Sequence, residues 1–280
     1  MLAEQRLKDG DLEGALSALQ ESIRKAPQDV SLRIFLFQLL CIMGSWQRAV
    51  QQLKTCATLN PQANAMAQMY RTAIICELHR EQVFRGERQP LVFGEPEDWI
   101  ASMIEATKLE ASGNVIAAKD LREAAFEMAP AIPGTINGQA FEWIADADPR
   151  LGPLMELIVN GRYFWVPFSA MNQLQMEVPS DLRDRVWTPA TVTWANGGDA
   201  VALIPTRYVG TTNAADDRLM LSTSTLWQKT DAGELAVFGL GQRLFATDHS
   251  DFALMDVREL LLNQSAEQAT QSDRFGGVDG

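Results

Sequence analysis

This 280-residue chain contains two segments that match each other at an offset of 34 residues. The paired positions are Gly10 with Gly44, Leu12 with Trp46, Ala15 with Ala49, Leu19 with Leu53, and Pro27 with Pro61. In each segment glycine marks a turn, apolar residues follow at helical spacing, and proline marks a stop because it has no amide hydrogen to donate. The offset therefore predicts successive pairs of helices, and no other feature constrains the fold as strongly.

A 34-residue period with this pattern resembles the tetratricopeptide repeat. Units of that type bury their apolar faces only by stacking on a neighbour, and the arrays they form act as binding scaffolds. The spacing predicts helices over 1–8, 11–26, 30–43, 46–59, 62–85 and 98–111, with a last helix that follows Gly113 and ends at Pro130. The first helix is only about two turns long, and residues 86–97 form an insertion.

After residue 131 the composition shifts toward glycine, proline and β-forming residues. Apolar segments within 155–168 flank Asn160-Gly161, and segments 186–194 and 200–204 flank a turn at 196–199, as expected of hairpins. Segments 219–228 and 235–245 are two further candidate strands around a turn at 231–233. Residues 252–262 are interpreted as a last strand or a short helix. This pattern predicts a mostly antiparallel β domain, either a small barrel or a curled sheet.

The sequence thus predicts an α+β chain of two domains. A tetratricopeptide-like helical domain occupies residues 1–130 and a β-rich domain occupies 131–262. Residues 263–280 are polar and lack periodicity, which predicts a disordered tail.

Net charge and hydropathy narrow the classes of partner. A formal net charge of −12 argues against nucleic-acid binding, which needs a basic face. The chain starts without a signal peptide, and no apolar run approaches the roughly 20 residues of a membrane-spanning helix, so we expect a cytoplasmic protein. Cys41, Cys56 and Cys76 are too widely spaced for a zinc site or a disulfide framework and are expected in the core.

Residues suited to catalysis are scarce. The two histidines are His79, on a predicted helix, and His249, which lies beside Asp248 and Asp251. The 247–251 cluster has metal-compatible side chains, but the sequence offers no further ligands, and a polar turn between strands is the preferred interpretation. The glycines at 239 and 241 lack the third glycine and the following helix of a phosphate-binding loop. We therefore expect no cofactor and no enzymatic activity.

Three successive aromatic residues stand out in the β domain. Tyr163, Phe164 and Trp165 lie between Arg162 and Pro167, and alternate side chains of a strand point to opposite faces. One face cannot bury all three. The preferred interpretation is that the helical domain covers the outer face, and the alternative is an aromatic patch exposed to a partner.

The order of these motifs resembles the ImpE/TagJ family of type VI secretion accessory proteins. The matching positions are Asp148, Arg150, Gly152, Glu156, Gly161, Arg162, Tyr163, Trp165, Val166 and Pro167, and the stretches 239–243 and 256–258 are similar to the closing strands of the family. The resemblance covers about residues 1–262.

The resemblance implies a non-enzymatic cytoplasmic adaptor. Its partners would be the small subunit of the contractile sheath and the AAA+ ATPase that disassembles contracted sheath. A leading helix is implicated in reaching the ATPase, which makes Leu2, Ala3 and Leu7 candidate partner-binding residues; packing against Leu12 and Leu16 is the rival use of these side chains. Arg162, Tyr163 and Trp165 are the other candidates. The alternative function is a hydrolase or metal-dependent enzyme with its site around Asp248, His249 and Asp251.

Overall fold

Helices occupy the first half of the chain. The computed structural model describes residues 1–94, 97–214, 216–230 and 233–263, so the predicted tail beyond 263 and most of the predicted turn at 231–233 lie outside the described residues. The helices before residue 130 are α1 (Leu2–Lys8), α2 (Leu12–Lys25), α3 (Val30–Ile42), α4 (Trp46–Leu59), α5 (Asn64–Phe84), α6 (Asp98–Ala111) and α7 (Val115–Met128). Their bounds agree with the predicted helices to within a few residues.

Local capping explains where these helices begin and end. The side chain of Asp11 accepts a hydrogen bond from the backbone N–H of Gly14, and Asp29 caps α3 in the same way. Gly10, Gly44 and Gly113 all have positive φ in the turns between paired helices, a conformation that glycine adopts without strain. The α3 helix is buried all round from Leu36 to Ile42, as its continuous apolar sequence predicts.

The second half of the chain is mostly strand. The strands are β1 (Leu91–Val92), β2 (Gly134–Ile136), β3 (Gln139–Phe141), β4 (Ile144–Asp146), β5 (Leu154–Val159), β6 (Arg162–Pro167), β7 (Met171–Met176), β8 (Trp187–Trp194), β9 (Asp199–Pro205), β10 (Thr225–Thr230), β11 (Gly233–Gly241), β12 (Leu244–Thr247), β13 (Asp251–Ala253) and β14 (Glu259–Leu262). A four-residue helix, α8 (Asp217–Met220), precedes β10.

Nine of these strands form one large sheet in the order β1-β6-β5-β9-β8-β7-β14-β2-β3. All neighbours in it are antiparallel except β1 and β6. Among the described residues the sheet stays open, and the predicted small barrel is wrong. The strands at its two ends, β1 and β3, are two and three residues long, and closure would require them to pair with each other. Two small sheets, β10-β11 and β13-β12-β4, complete the strands.

The two hairpins predicted from sequence are present. Asn160 and Gly161 join β5 to β6 with φ of 48° and 71°, the two positive values that a type I′ turn requires. The β8–β9 hairpin is also confirmed. The strand predicted over 219–228 is wrong in its first half, because Asp216 caps α8 and the chain turns at Ser222 before β10 begins.

Both faces of the large sheet are covered, as shown by β5, in which all six residues are buried. One apolar cluster joins α2–α6 to Trp165, Trp187, Ile158 and Leu203 on one face. A second cluster, which includes Val166, Met155, Val192 and Phe245, fills the other face. Trp165 is 0% exposed and Tyr163 is 3% exposed, so the preferred interpretation of the aromatic segment, coverage by helices, is confirmed.

No helix within the described ranges combines the length and the apolar character needed to span a membrane.

Candidate functional site

Glu156, at the centre of β5, anchors a buried network of charged side chains between the helices and the sheet. Arg80 of α5 binds it at two points, with Nε–Oε1 at 2.6 Å and Nη2–Oε2 at 2.8 Å. Arg243 and the hydroxyl of Tyr163 also donate to Glu156, and Trp165 donates its indole N–H to that hydroxyl at 2.7 Å. Every polar atom of the Glu156 carboxylate therefore has a partner, as a buried charge requires.

Arg243 and Arg207 extend the network beyond Glu156. Arg243 is fully buried and pairs with Asp146 as well as Glu156. Arg207 donates to the carbonyls of Ile42 at 2.7 Å and Cys41 at 3.2 Å. Those carbonyls belong to the last turn of α3, where the Cys41 carbonyl also accepts from the backbone N–H of Gly44 at 3.1 Å. Arg207 adds hydrogen bonds to this helix end and places a cation at the negative end of the helix dipole.

The pKa values of the network residues are shifted in different directions. Burial raises the pKa of Glu156, but Arg80 and Arg243 outweigh burial and lower it to about 2. Burial dominates at Asp146, because Arg243 is shared with Glu156, and raises the pKa of Asp146 to about 6. Burial likewise lowers the pKa of Arg207 to about 10. Glu156 is therefore the carboxylate on which the charged interface depends.

The predicted motif 148–156 contributes to the fold in other ways too. Asp148 binds the guanidinium of Arg150 with Nη2–Oδ2 at 2.6 Å and accepts from the backbone N–H of Gly239 at 2.9 Å. The Arg150 guanidinium lies over the rings of Phe84, at 5.1 Å, and Phe238, at 4.7 Å. Motif residues thus join the helices, the β4–β5 loop and β11.

The residues predicted to bind partners fall into two groups. Ala3, Tyr163 and Trp165 are buried and Leu7 is half-buried against the helical core. Leu2 is 63% exposed, and Arg162 is exposed with its guanidinium over the Phe164 ring. The structure brings Tyr163 and Trp165 together with Glu156, whereas Leu2 lies on α1 and Arg162 is the first residue of β6. Their role in partner binding stays a prediction.

The cluster around His249 is a surface turn. His249 Nε2 lies 3.2 Å from Asp248 Oδ2, and Asp248 Oδ1 accepts from the backbone N–H of Glu142. Thr247 and Ser250 close the turn through their own hydrogen bonds. Within the part of the chain that the structure describes, no three His, Cys, Asp or Glu side chains are arranged to hold a metal ion.

A groove between α4 and α5, which we call the α4–α5 groove, is a concave feature whose position the sequence did not predict. Its volume is about 600 Å³. The lining residues are Gly44, Ser45, Trp46, Gln47, Arg48, Val50, Gln51, Lys54, Ile74 and Leu78. Leu78 is 43% exposed at its edge, and Ile75 beside it on α5 is 56% exposed. The apolar residues at 74, 75 and 78 of α5 were the sequence signal that could have indicated this groove.

Comparisons with known proteins agree with this architecture. Residues 138–261 match the model of the ImpE protein family. The type VI secretion system accessory component TagJ of Pseudomonas aeruginosa is 51% identical over 260 residues, which cover 93% of this chain and 90% of TagJ. The crystal structure of protein VPA1032 from Vibrio parahaemolyticus superposes with a TM-score of 0.86 at 26% identity, over 95% of this chain and 99% of that one.

Proposed function

The chain belongs to the ImpE family, which includes TagJ, and on that basis we propose that it is a non-enzymatic accessory protein of a type VI secretion machine. One observation carries the proposal: the 51% identity to TagJ extends over 93% of the chain. The matched length therefore spans both the helical and the β-rich halves of the chain. A relationship confined to the helices would have been shared with many unrelated scaffolds.

The proposed activity is that of an adaptor in the cytoplasm. It binds the small subunit of the contractile sheath, the sheath-recycling AAA+ ATPase, or both. A tetratricopeptide-like interpretation of α2–α4 supports this, since such arrays bind segments of other proteins on their open surfaces. The exposed Leu2 of α1 offers one apolar contact point, and Arg162 offers a cationic one on the β5–β6 turn.

The charged residues of the buried network pair with one another, and this supports a non-enzymatic role. Arg80, Glu156, Arg243 and Asp146 are buried, and their charges are balanced by one another. Charged groups that serve catalysis need contact with a reacting molecule. The network is better explained as a set of buried ion pairs that holds the helices against the sheet.

The test is a two-component binding assay. Purified full-length chain is titrated separately with the sheath small subunit and with the ATPase, and binding is followed by isothermal calorimetry. We expect Leu2→Asp to weaken binding to the ATPase at least tenfold, because it places a charge on the apolar contact.

The matched control is Ile116→Asp, since Ile116 lies on α7 and is exposed to the same extent as Leu2, at 64%. It should leave both affinities unchanged. Absence of binding to either protein by the unmodified chain would overturn the adaptor proposal.

A further inference from the structure

We infer that the α4–α5 groove binds an acidic amphipathic helix supplied by another protein. The groove has the size and lining that such a ligand needs. Val50 and Leu78 provide its accessible apolar surface, Ile74, which is 1% exposed, also lines it, and α4 is 14 residues long. A guest helix lying along α4 would therefore span about 20 Å and place three or four apolar side chains in the groove.

The charges around the groove select an acidic guest. Arg48 and Lys54 are the charged residues of the lining, and both are cationic. Arg71 lies seven residues before Leu78 on α5 and so shares its face. All three are exposed, and within the described residues none of them forms a salt bridge. Unpaired cations around an apolar groove, in a chain of net charge −12, complement a helix with acidic flanks.

Arg48 supplies a second, independent observation. It is the third residue of α4, where the helix dipole presents its positive end and a cation is unfavourable. The N-cap Ser45 makes no side-chain capping bond, whereas a glutamate at position 48 would complete a capping box with it. A residue that opposes its own helix is expected at positions where function outweighs local stability.

The wall of the groove is held in place before any ligand binds. The Trp46 indole N–H donates to Glu81 at 3.2 Å, and its ring lies 6.1 Å from that of Trp187 on the sheet. The α4 wall is thereby connected to the buried core, so a guest helix would meet a rigid surface and lose little affinity to reorganisation.

The experiment uses full-length protein and three labelled 18-residue peptides, followed by fluorescence anisotropy. One peptide is an amphipathic helix of leucine and glutamate, the second replaces glutamate by lysine, and the third scrambles the first. We expect the acidic helix to bind at least tenfold more tightly than either of the others, with an affinity that falls as salt rises. Equal binding of the basic helix would overturn the inference.

Variants of the chain locate the site. Arg48→Gln/Lys54→Gln should weaken the acidic peptide at least fivefold and flatten the salt dependence, and Leu78→Gln should weaken it without changing that dependence. The matched control is Arg24→Gln/Lys25→Gln, which removes two exposed cations from α2 and should change nothing. Equal losses in the control pair would contradict the assignment.

Arg48→Glu separates binding from folding. It should raise the melting temperature by about 1–3 °C through the capping box while it lowers peptide affinity at least tenfold. Loss of both stability and affinity would show that Arg48 acts structurally and would overturn the inference.

Two other possible occupants of the α4–α5 groove can be detected with the same protein and its variants. If the protein sediments as a dimer and Leu78→Gln dissociates that dimer, the groove is occupied by a second copy of the chain. If a chain ending at Asn263 binds the acidic peptide more tightly than the longer chain does, the groove is occupied by residues 264–280. Either result overturns the inference. Because the probes are designed peptides, a failure of this inference would not contradict the adaptor proposal, which is tested separately with the sheath subunit and the ATPase.

Discussion

Arg80 of α5 and Glu156 of β5, which are 76 residues apart in the chain, form a buried two-point ion pair with no access to solvent at the carboxylate. Their planar groups match in geometry, so one side chain fixes both the distance and the rotation of α5 relative to β5. Tyr163, Arg243 and Glu77 bind the same pair from three further positions. This contact therefore joins α5 to the centre of the sheet at a fixed position.

Arg80→Met should destabilise the protein by about 3–5 kcal/mol, because it leaves the Glu156 carboxylate buried with less compensation. The measurement is urea unfolding followed by tryptophan fluorescence. Arg85→Met is the matched control at the end of the same helix. Arg85 is exposed and paired with Glu87, so its loss should change the free energy of unfolding by no more than about 0.5 kcal/mol. If both variants lose the same free energy of unfolding, the Arg80–Glu156 pair does not hold the helices against the sheet.

Acid should weaken this interface in a defined range of pH. The pKa of Glu156 is lowered to about 2 from its ordinary 4.5, so its stabilising contribution is complete above pH 4.5. That contribution, on the order of 3 kcal/mol, is lost as the pH falls from about 4.5 to about 2.

Tyr163→Phe tests the origin of this pH effect. It removes the hydroxyl that donates to Glu156 and should raise the pKa of that carboxyl, so acid unfolding should begin at higher pH. Unfolding curves at several pH values between about 2 and 6 make the comparison. An unchanged acid midpoint in the variant would show that Glu156 does not control the transition.

Gly161→Ala should destabilise the protein by about 2 kcal/mol or more. Gly161 has φ of 71°, and a Cβ there would lie 2.6 Å from Thr72 Cγ2 of α5, so backbone strain and a clash add together. Thr72→Ser in the same chain removes the clashing methyl group and should restore part of the loss in thermal unfolding.

Gly138→Ala is the control for backbone strain alone. Gly138 follows Asn137 in the turn between β2 and β3, has φ of 80°, and leaves open space where a Cβ would lie, with no neighbouring atom within 4 Å. Its replacement should cost only about 1 kcal/mol. If Gly161→Ala and Gly138→Ala lower the free energy of unfolding equally, close contact between the β5–β6 turn and α5 does not contribute to the loss.

The three thiols should be unreactive in the native protein. Cys41, Cys56 and Cys76 are all buried, and burial, reinforced by Glu77, raises the pKa of Cys76 to about 11. A thiol reagent at about pH 8 should therefore label none of them rapidly, and urea should expose all three. Rapid labelling of one thiol in native buffer would show that the helical core opens.

Features that depend on neighbouring residues in the chain were predictable from sequence. Asp11 and Asp29 cap the helices that follow them, and Asn160-Gly161 forms the turn that its left-handed backbone allows. For the strand 162–167 the sequence favoured cover on both faces over an exposed aromatic patch, and the helices cover Tyr163 and Trp165. Each of these follows from local backbone preference or from the two-residue period of a strand.

The sequence by itself determined where the helices before residue 130 and the β5–β6 and β8–β9 hairpins form, and which family the chain resembles. Only the tertiary structure decided that the sheet stays open among the described residues, that residues 217–220 are helical, that Glu156 pairs with Arg80 and that a groove lies beside α4. The physical reason is the range of the interactions. Caps and turns are set by residues a few positions apart, whereas strand order, ion pairs and concave surfaces depend on segments that meet only after the chain has folded.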